Sequence, residues 1–256
     1  MTAFSDSWSL RESLFFGRAR LKFAWSRLPW KANSHDFPYR HHIYLPEWKL
    51  VYFFVPKVAC TSLKTVCADL LSLSEDKSPH EHSFPKLDRQ QLLAAPSTYD
   101  SFAVVRDPID RLLSGYKSMV MRPIHDRHYF HGVFRPLVKF GGFSHAMSFE
   151  AFCRRVVEIP DRYADPHFRS QSTCFTTSNG EILVKRCFRF EQLATEIPAY
   201  LQSVTGQPIA LPMRNTTARL NSTPDLSAEC RQLLKLRFDT DYGLLESLPL
   251  THKKSA

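Results

Sequence analysis

Lys57 heads a run of small residues, Val58, Ala59, Cys60, Thr61 and Ser62, that follows an apolar stretch from Leu50 to Val55. Behind the run, Leu63, Val66, Leu70 and Leu71 recur at helical spacing. A buried strand closed by Pro56, a loop carrying one lysine, and a helix start together make an anion cradle. The helix start offers N–H groups with no intrahelical partner and a partial positive charge. Thr61 and Ser62 add hydroxyl donors, and Lys57 adds a full charge. The loop has no glycine and no Gly-Lys-Ser/Thr ending, so it is a phosphate-type loop without the Walker A signature.

A second anion-binding pair lies downstream. The stretch Ser101–Val105 reads as another buried strand, and Arg106-Asp107-Pro108 opens the helix that follows. Asp107 suits the cap, and Pro108 suits the first helical position, where its missing N–H costs nothing. Arg106 at the strand tip and Ser114 two turns into the helix combine a guanidinium fork with a hydroxyl, which suits a terminal phosphate. The bland alternative for the pair is a structural ion pair and a tolerated mid-helix serine. Two such sites on one crevice favour a ligand with two separated anionic groups.

The elements that must position these residues alternate strand and helix. A third strand is read at Ile182–Phe190, with a helix following to about Val204; further helices are read at Leu87–Ala95, stopped by Pro96, at Phe149–Val157 and at Ala228–Asp239. Such alternation predicts an α/β fold: a P-loop-like, three-layer α/β/α arrangement around a central parallel sheet. In such sheets ligands sit beyond the carboxyl ends of the strands, which is where Lys57 and Arg106 fall. Residues 1–49 read as a basic amphipathic helix followed by a connecting segment, residues 50–246 as the main domain and residues 247–256 as a tail. The stretch Met121–His145, rich in His, Gly, Pro and aromatics, reads as an irregular excursion of the kind that shapes a substrate site.

With 256 residues, 43% of them hydrophobic, the chain has enough material for a substantial core and is not a disordered segment. A formal net charge of +9 points to anionic partners without choosing among nucleotide, nucleic acid, acidic glycan and membrane surface. The six cysteines include no C-x-x-C pair, which argues against a zinc site and for reduced thiols of a cytoplasmic protein. No apolar stretch approaches the roughly 20 residues of a membrane span, and no signal-peptide core is present. Near the N-terminus, Leu14, Phe15, Leu21, Phe23, Ala24 and Trp25 interleave with arginine and lysine. Two readings stay open for that helix: packing on the domain, or peripheral contact with a membrane surface.

The residues PKVACTSLK at 56–64 together with VVRDPIDRLLSGYKS at 104–118 resemble the two cofactor signatures of the carbohydrate sulfotransferases. The similarity is greatest to the branch holding the chondroitin, dermatan and HNK-1 enzymes and many bacterial proteins. DPHFRSQSTC at 165–174, FRFEQL at 188–193 and RFDTDYGLL at 237–245 resemble later motifs of the same family, with Phe168 and Ser170 where Trp and Pro are usual. The resemblance implies a sulfotransferase that moves a sulfuryl group from 3'-phosphoadenosine 5'-phosphosulfate (PAPS) to a hydroxyl of a carbohydrate-type acceptor. It implies that Lys57, Val58, Ala59, Cys60, Thr61 and Ser62 hold the 5'-phosphosulfate, and that Arg106 and Ser114 hold the 3'-phosphate. No metal and no nucleic acid partner is expected. The family's Golgi members carry an N-terminal membrane anchor; the reading here is a soluble, bacterial-type enzyme.

The acceptor hydroxyl needs a base, and histidine suits that task near neutral pH. In some glycan sulfotransferases the base lies between the two cofactor motifs, an interval that here holds His80 and His82; His82 is favoured, and His167 in the DPHFRSQ stretch is the runner-up. His125, His128 and His131 read as facing solvent or an anionic acceptor rather than a metal. Arg214, with Asn215 and Thr216, is read either as closing over the nucleotide or as part of a polar surface turn. Two other functions remain: a P-loop kinase of a small metabolite, against which the missing Gly-Lys-Ser/Thr counts, and a non-catalytic basic binding protein.

Overall fold

The computed structural model describes residues 40–248 apart from 75, 122–128, 131–132, 135–136, 138–139, 146, 178 and 213–223. The N-terminal amphipathic stretch, His125, His128, His131, Arg214 and the tail from 249 lie outside the described residues. The strands are β1 (His42–Leu45), β2 (Leu50–Phe53), β3 (Asp100–Val105), β4 (Tyr129–Phe130), β5 (Val133–Phe134) and β6 (Arg186–Arg189). The helices are α1 (Cys60–Leu70), α2 (Arg89–Leu93), α3 (Ala95–Thr98), α4 (Pro108–Met119), α5 (Phe149–Val157), α6 (Glu196–Thr205), α7 (Ala228–Arg237) and α8 (Asp239–Ser247).

The main sheet runs β1-β2-β3-β6, and β4 pairs with β5 in a separate antiparallel ribbon. β2, β3 and β6 are mutually parallel, with Phe53 opposite Ala103 and Val105 opposite Arg189. Their carboxyl ends therefore lie along one edge of the sheet, the edge from which the loops at Lys57 and Arg106 depart. All four residues of β2 and all but the first of β3 are buried, as expected of strands covered on both faces. Tyr52 stacks on Phe102 with ring centroids 4.8 Å apart, and Tyr200 of α6 meets Phe102 edge-on at 5.5 Å. The Tyr200 hydroxyl also donates to Asp100 Oδ2 at 3.0 Å, so α6 is tied to the start of β3.

A second core, built from helices, stands beside the sheet. Leu112 and Tyr116 of α4 meet Phe149 and Phe152 of α5, Cys230 and Leu234 of α7, and the fully buried Phe168. Phe168 packs edge-on to Phe140 at 5.5 Å. Four helices carry side-chain caps: Asp88 on α2, Asp107 on α4, Ser148 on α5 and Ser227 on α7. Asp107 Oδ1 accepts from the N–H groups of Ile109 and Asp110, which satisfies donors the helix itself leaves unpaired.

The sheet departs from the sequence reading at its edge. His42–Leu45, placed by sequence in a connecting segment, forms β1 and pairs antiparallel with β2, so the sheet is mixed rather than wholly parallel. The imidazole of His42 is fully buried, and its Nε2 accepts from the Leu87 N–H at 2.9 Å. The third strand is shorter than read: Ile182 makes one bridge to Thr176, and pairing with β3 begins at Arg186. Pro96 is the second residue of α3 instead of ending structure, and the Asp239–Ser247 segment coils into α8. All six cysteines are unpaired thiols; burial pushes Cys67 and Cys174 up to about 12, so neither is an ionised nucleophile near neutral pH.

Candidate active site

The loop between β2 and α1 turns without glycine. Lys57 and Ala59 take left-handed backbone angles, with φ of 68° and 49°. That region costs non-glycine residues roughly 1–2 kcal/mol each, and such strain persists only where the surroundings enforce it. Val58 does part of the enforcing: its side chain is fully buried in the sheet core and its N–H donates to Val55 O at 3.3 Å. Ala59 is the residue before α1, and no side chain caps that helix, unlike α2, α4, α5 and α7. The N–H groups of Cys60, Thr61 and Ser62 thus have no intrahelical acceptor and, among the described residues, no side-chain cap. An anion seated there would meet these donors and the positive end of the helix dipole.

Polar side chains converge on this corner. The Lys57 ammonium donates to the Ser118 hydroxyl on α4. Thr61 Oγ1 lies 3.0 Å from His80 Nε2. Desolvation lowers the His80 pKa below its ordinary 6.5, and the nearby charges of Lys64, His167 and Lys57 lower it further. His80 therefore favours its neutral form, and His167 and Lys57 both lie close enough to act on it. His167 is held separately: its Nδ1 is 2.6 Å from the carboxylate of the buried Asp165, which also accepts the His167 N–H at 3.0 Å. With Nδ1 carrying the proton toward Asp165, Nε2 is left as the accepting nitrogen.

His82 does not join this group. Two residues past His80, it packs edge-on against Phe84 at 5.7 Å and lines a cavity of about 450 Å³ with Thr65, Asp69 and Lys77. Phe168 and Ser170 are packing residues: Phe168 fills the helical core, and the Ser170 hydroxyl accepts from Arg237 Nη1 at 3.2 Å.

Arg106 extends from the tip of β3, with its guanidinium 4.3 Å over the Phe190 ring. Its Nε is buried with no hydrogen-bond partner among the described residues. The Arg106 peptide is gripped by the Gln171 side chain, which accepts the Arg106 N–H at 2.9 Å and donates to the Arg106 carbonyl at 2.7 Å. Gln171 and Ser172 in turn donate their N–H groups to the buried Asp241 of α8 at 2.8 and 3.0 Å. Ser114 sits half-buried on α4, one turn before Ser118.

Three of these residues escaped the sequence reading as individuals, although their motifs did not. Ser118 stands at i+4 from Ser114, the spacing that puts two residues on one helix face. Asp165 stands two before His167, the spacing of a carboxylate that orients an imidazole. Arg111, one turn into α4, is fully buried and donates to three backbone carbonyls.

The frame is a mostly parallel α/β sheet with an uncapped helix start after β2 and an arginine at the tip of β3. The chain belongs to the sulfotransferase family, whose model matches residues 40–246. It is 29% identical over 96 residues to human carbohydrate sulfotransferase 8, a match covering 34% of this chain and 22% of that relative. The chain thus matches only about a fifth of that relative's length. No solved structure matches it.

Proposed function

We propose that this chain transfers a sulfuryl group from PAPS to a hydroxyl of a carbohydrate-type acceptor by in-line displacement. The observation that carries the reading is the meeting of Lys57, Thr61 and His80 at the uncapped start of α1, with the loop of the Asp165–His167 pair tied to the Lys57 loop through Arg111. The residues suit a ligand with two separated anionic ends, since among the described residues the N–H groups at the start of α1 have no side-chain cap and the buried Arg106 Nε has no partner. The name of the matched human relative supports a carbohydrate acceptor.

PAPS, when bound, supplies the sulfuryl group and a phosphate able to leave with the electrons of the broken S–O bond. The chain's own residues do the rest. The N–H groups of Cys60, Thr61 and Ser62 hold the 5' end, and Lys57 opposes the negative charge that builds toward the leaving oxygen. Arg106 and Ser114 hold the 3'-phosphate and fix the nucleotide's direction. His167 Nε2 accepts the proton of the attacking hydroxyl, while Asp165 holds the tautomer and steadies the imidazolium that forms. A second reading gives the base's task to His80, because its environment keeps it neutral.

The test is calorimetric binding of 3'-phosphoadenosine 5'-phosphate (PAP) to the full chain, followed by transfer of labelled sulfate from PAPS to a panel of glycans. Binding that Arg106→Ala weakens, and transfer that Lys57→Ala abolishes, are expected. No PAP binding, or magnesium-dependent ATP binding in its place, overturns the reading. So does salt-dependent nucleic acid binding indifferent to PAP.

A further inference from the structure

Arg111 is among the largest fully buried side chains of the protein, with 1% of its surface exposed. It faces carbonyls on two separate loops. Its Nε donates to Pro56 O at 2.9 Å, Nη1 to Arg169 O at 2.7 Å and Nη2 to Pro166 O at 2.9 Å. Pro56 immediately precedes Lys57, and Pro166 and Arg169 bracket His167. One planar group therefore spans the loop that carries the lysine and the loop that carries the imidazole.

The arrangement is costly as packing alone. Burying a guanidinium carries a large desolvation penalty, and its hydrogen bonds among the described residues all go to neutral carbonyls. An apolar side chain of similar volume would fill the space without that penalty. What an apolar side chain lacks is a set of fixed directional donors. Arginine holds its donors in a rigid plane, so three carbonyls bound to it keep set positions relative to one another, which a lysine ammonium does not impose.

We propose that Arg111 is a positioning residue that fixes the separation of Lys57 and His167 by tying Pro56 to Pro166 and Arg169. This rests on the sulfotransfer reading for its consequence on turnover, but not for its structural content. The guanidinium touches neither reacting group; it acts through the two backbone segments. A displacement of about 1 Å between reacting groups lowers turnover about 100-fold, the scale expected when the tie is loosened.

The experiment uses the full chain with Arg111→Lys and Arg111→Gln, side by side. Amide hydrogen exchange without ligand is expected to rise selectively at residues 56–59 and 166–170 in both variants, with α6 as protected as in the wild type. Turnover with PAPS is expected to fall about 100-fold in Arg111→Lys. On a His167→Asn background the same substitution is expected to change turnover by less than about threefold, because the group it positions is gone. Exchange unchanged at either segment, or raised evenly over the chain, overturns the proposal, as does an equal loss of turnover on both backgrounds. A wild-type chain that transfers no sulfate defeats the sulfotransfer reading alone, and the exchange comparison still decides the role of Arg111.

Discussion

Gln171 holds Arg106 by both polar groups of its backbone: Oε1 accepts the Arg106 N–H at 2.9 Å, and Nε2 donates to the Arg106 carbonyl at 2.7 Å. The N–H of Gln171 is itself anchored on buried Asp241, so the tip of β3 is fixed from α8. Gln171→Leu keeps the volume and removes both side-chain bonds to the Arg106 peptide and the longer one to Asp241 Oδ2, leaving buried polar groups unpaired at about 1–3 kcal/mol. We expect lower stability in urea unfolding and PAP binding weakened about tenfold, the size of one lost kcal-scale constraint. Unchanged PAP affinity would show that Arg106 needs no such support.

The Asp165–His167 pair makes a prediction about mechanism. Asp165→Asn retains shape but cannot hold the same imidazole tautomer, and it removes the carboxylate that steadies a protonated ring. Turnover is expected to fall about 100- to 10,000-fold with PAP affinity nearly unchanged. Steady-state kinetics beside calorimetry separate the two effects. If His80→Asn suffers the large loss in turnover and Asp165→Asn does not, the base's task moves to His80.

His80 carries the pH dependence. Its folded-state pKa lies below the ordinary 6.5, first through desolvation and then through Lys64, His167 and Lys57. As pH falls below 6.5 the unfolded chain takes up this proton before the folded chain does, so wild type loses stability relative to His80→Gln. Denaturant melts of the two proteins at about pH 7.5 and 5.5 measure the difference. Anion binding beside Lys57 offsets the positive charge around His80 and raises its pKa. PAP binding should therefore take up a proton and tighten toward lower pH, visible as a buffer-dependent heat.

Phe168 tests the division between packing and recognition. Fully buried in the helical core, it should cost about 3–5 kcal/mol when cut to alanine. PAP binding to the folded fraction should survive, since the ring packs on Phe140 and Phe143. A loss of acceptor binding without a loss of stability would contradict the packing role.

What could be read from the sequence follows from what each signal contains. β2 and β3 are short apolar runs with nothing polar to compete, so both strands were legible, and with them the placement of the lysine loop and Arg106 at their ends. β1 was not, because HIYL follows histidines and prolines that read as a connector, and its buried His42 is satisfied by a backbone N–H 45 residues away. His80 and His82 are two residues apart in a loop without regular period, so only the folded turn decides which reaches Thr61. Arg111 was hidden for a different reason: its acceptors are main-chain carbonyls, which every residue has, at separations of 55 and 58 residues.

The left-handed turns at Lys57 and Ala59 have a kinetic consequence. A glycine-built loop samples many shapes and must be gathered into one when a ligand arrives, which slows capture and weakens it. Here the unfavourable angles are settled during folding, and the buried Val58 between them prevents their relaxation. An anion entering the proposed site would meet a corner already shaped, so the encounter would be governed by diffusion and by the charge of the approach. Capture on such terms is fast, and its rate should fall with added salt rather than with viscous drag on a closing loop.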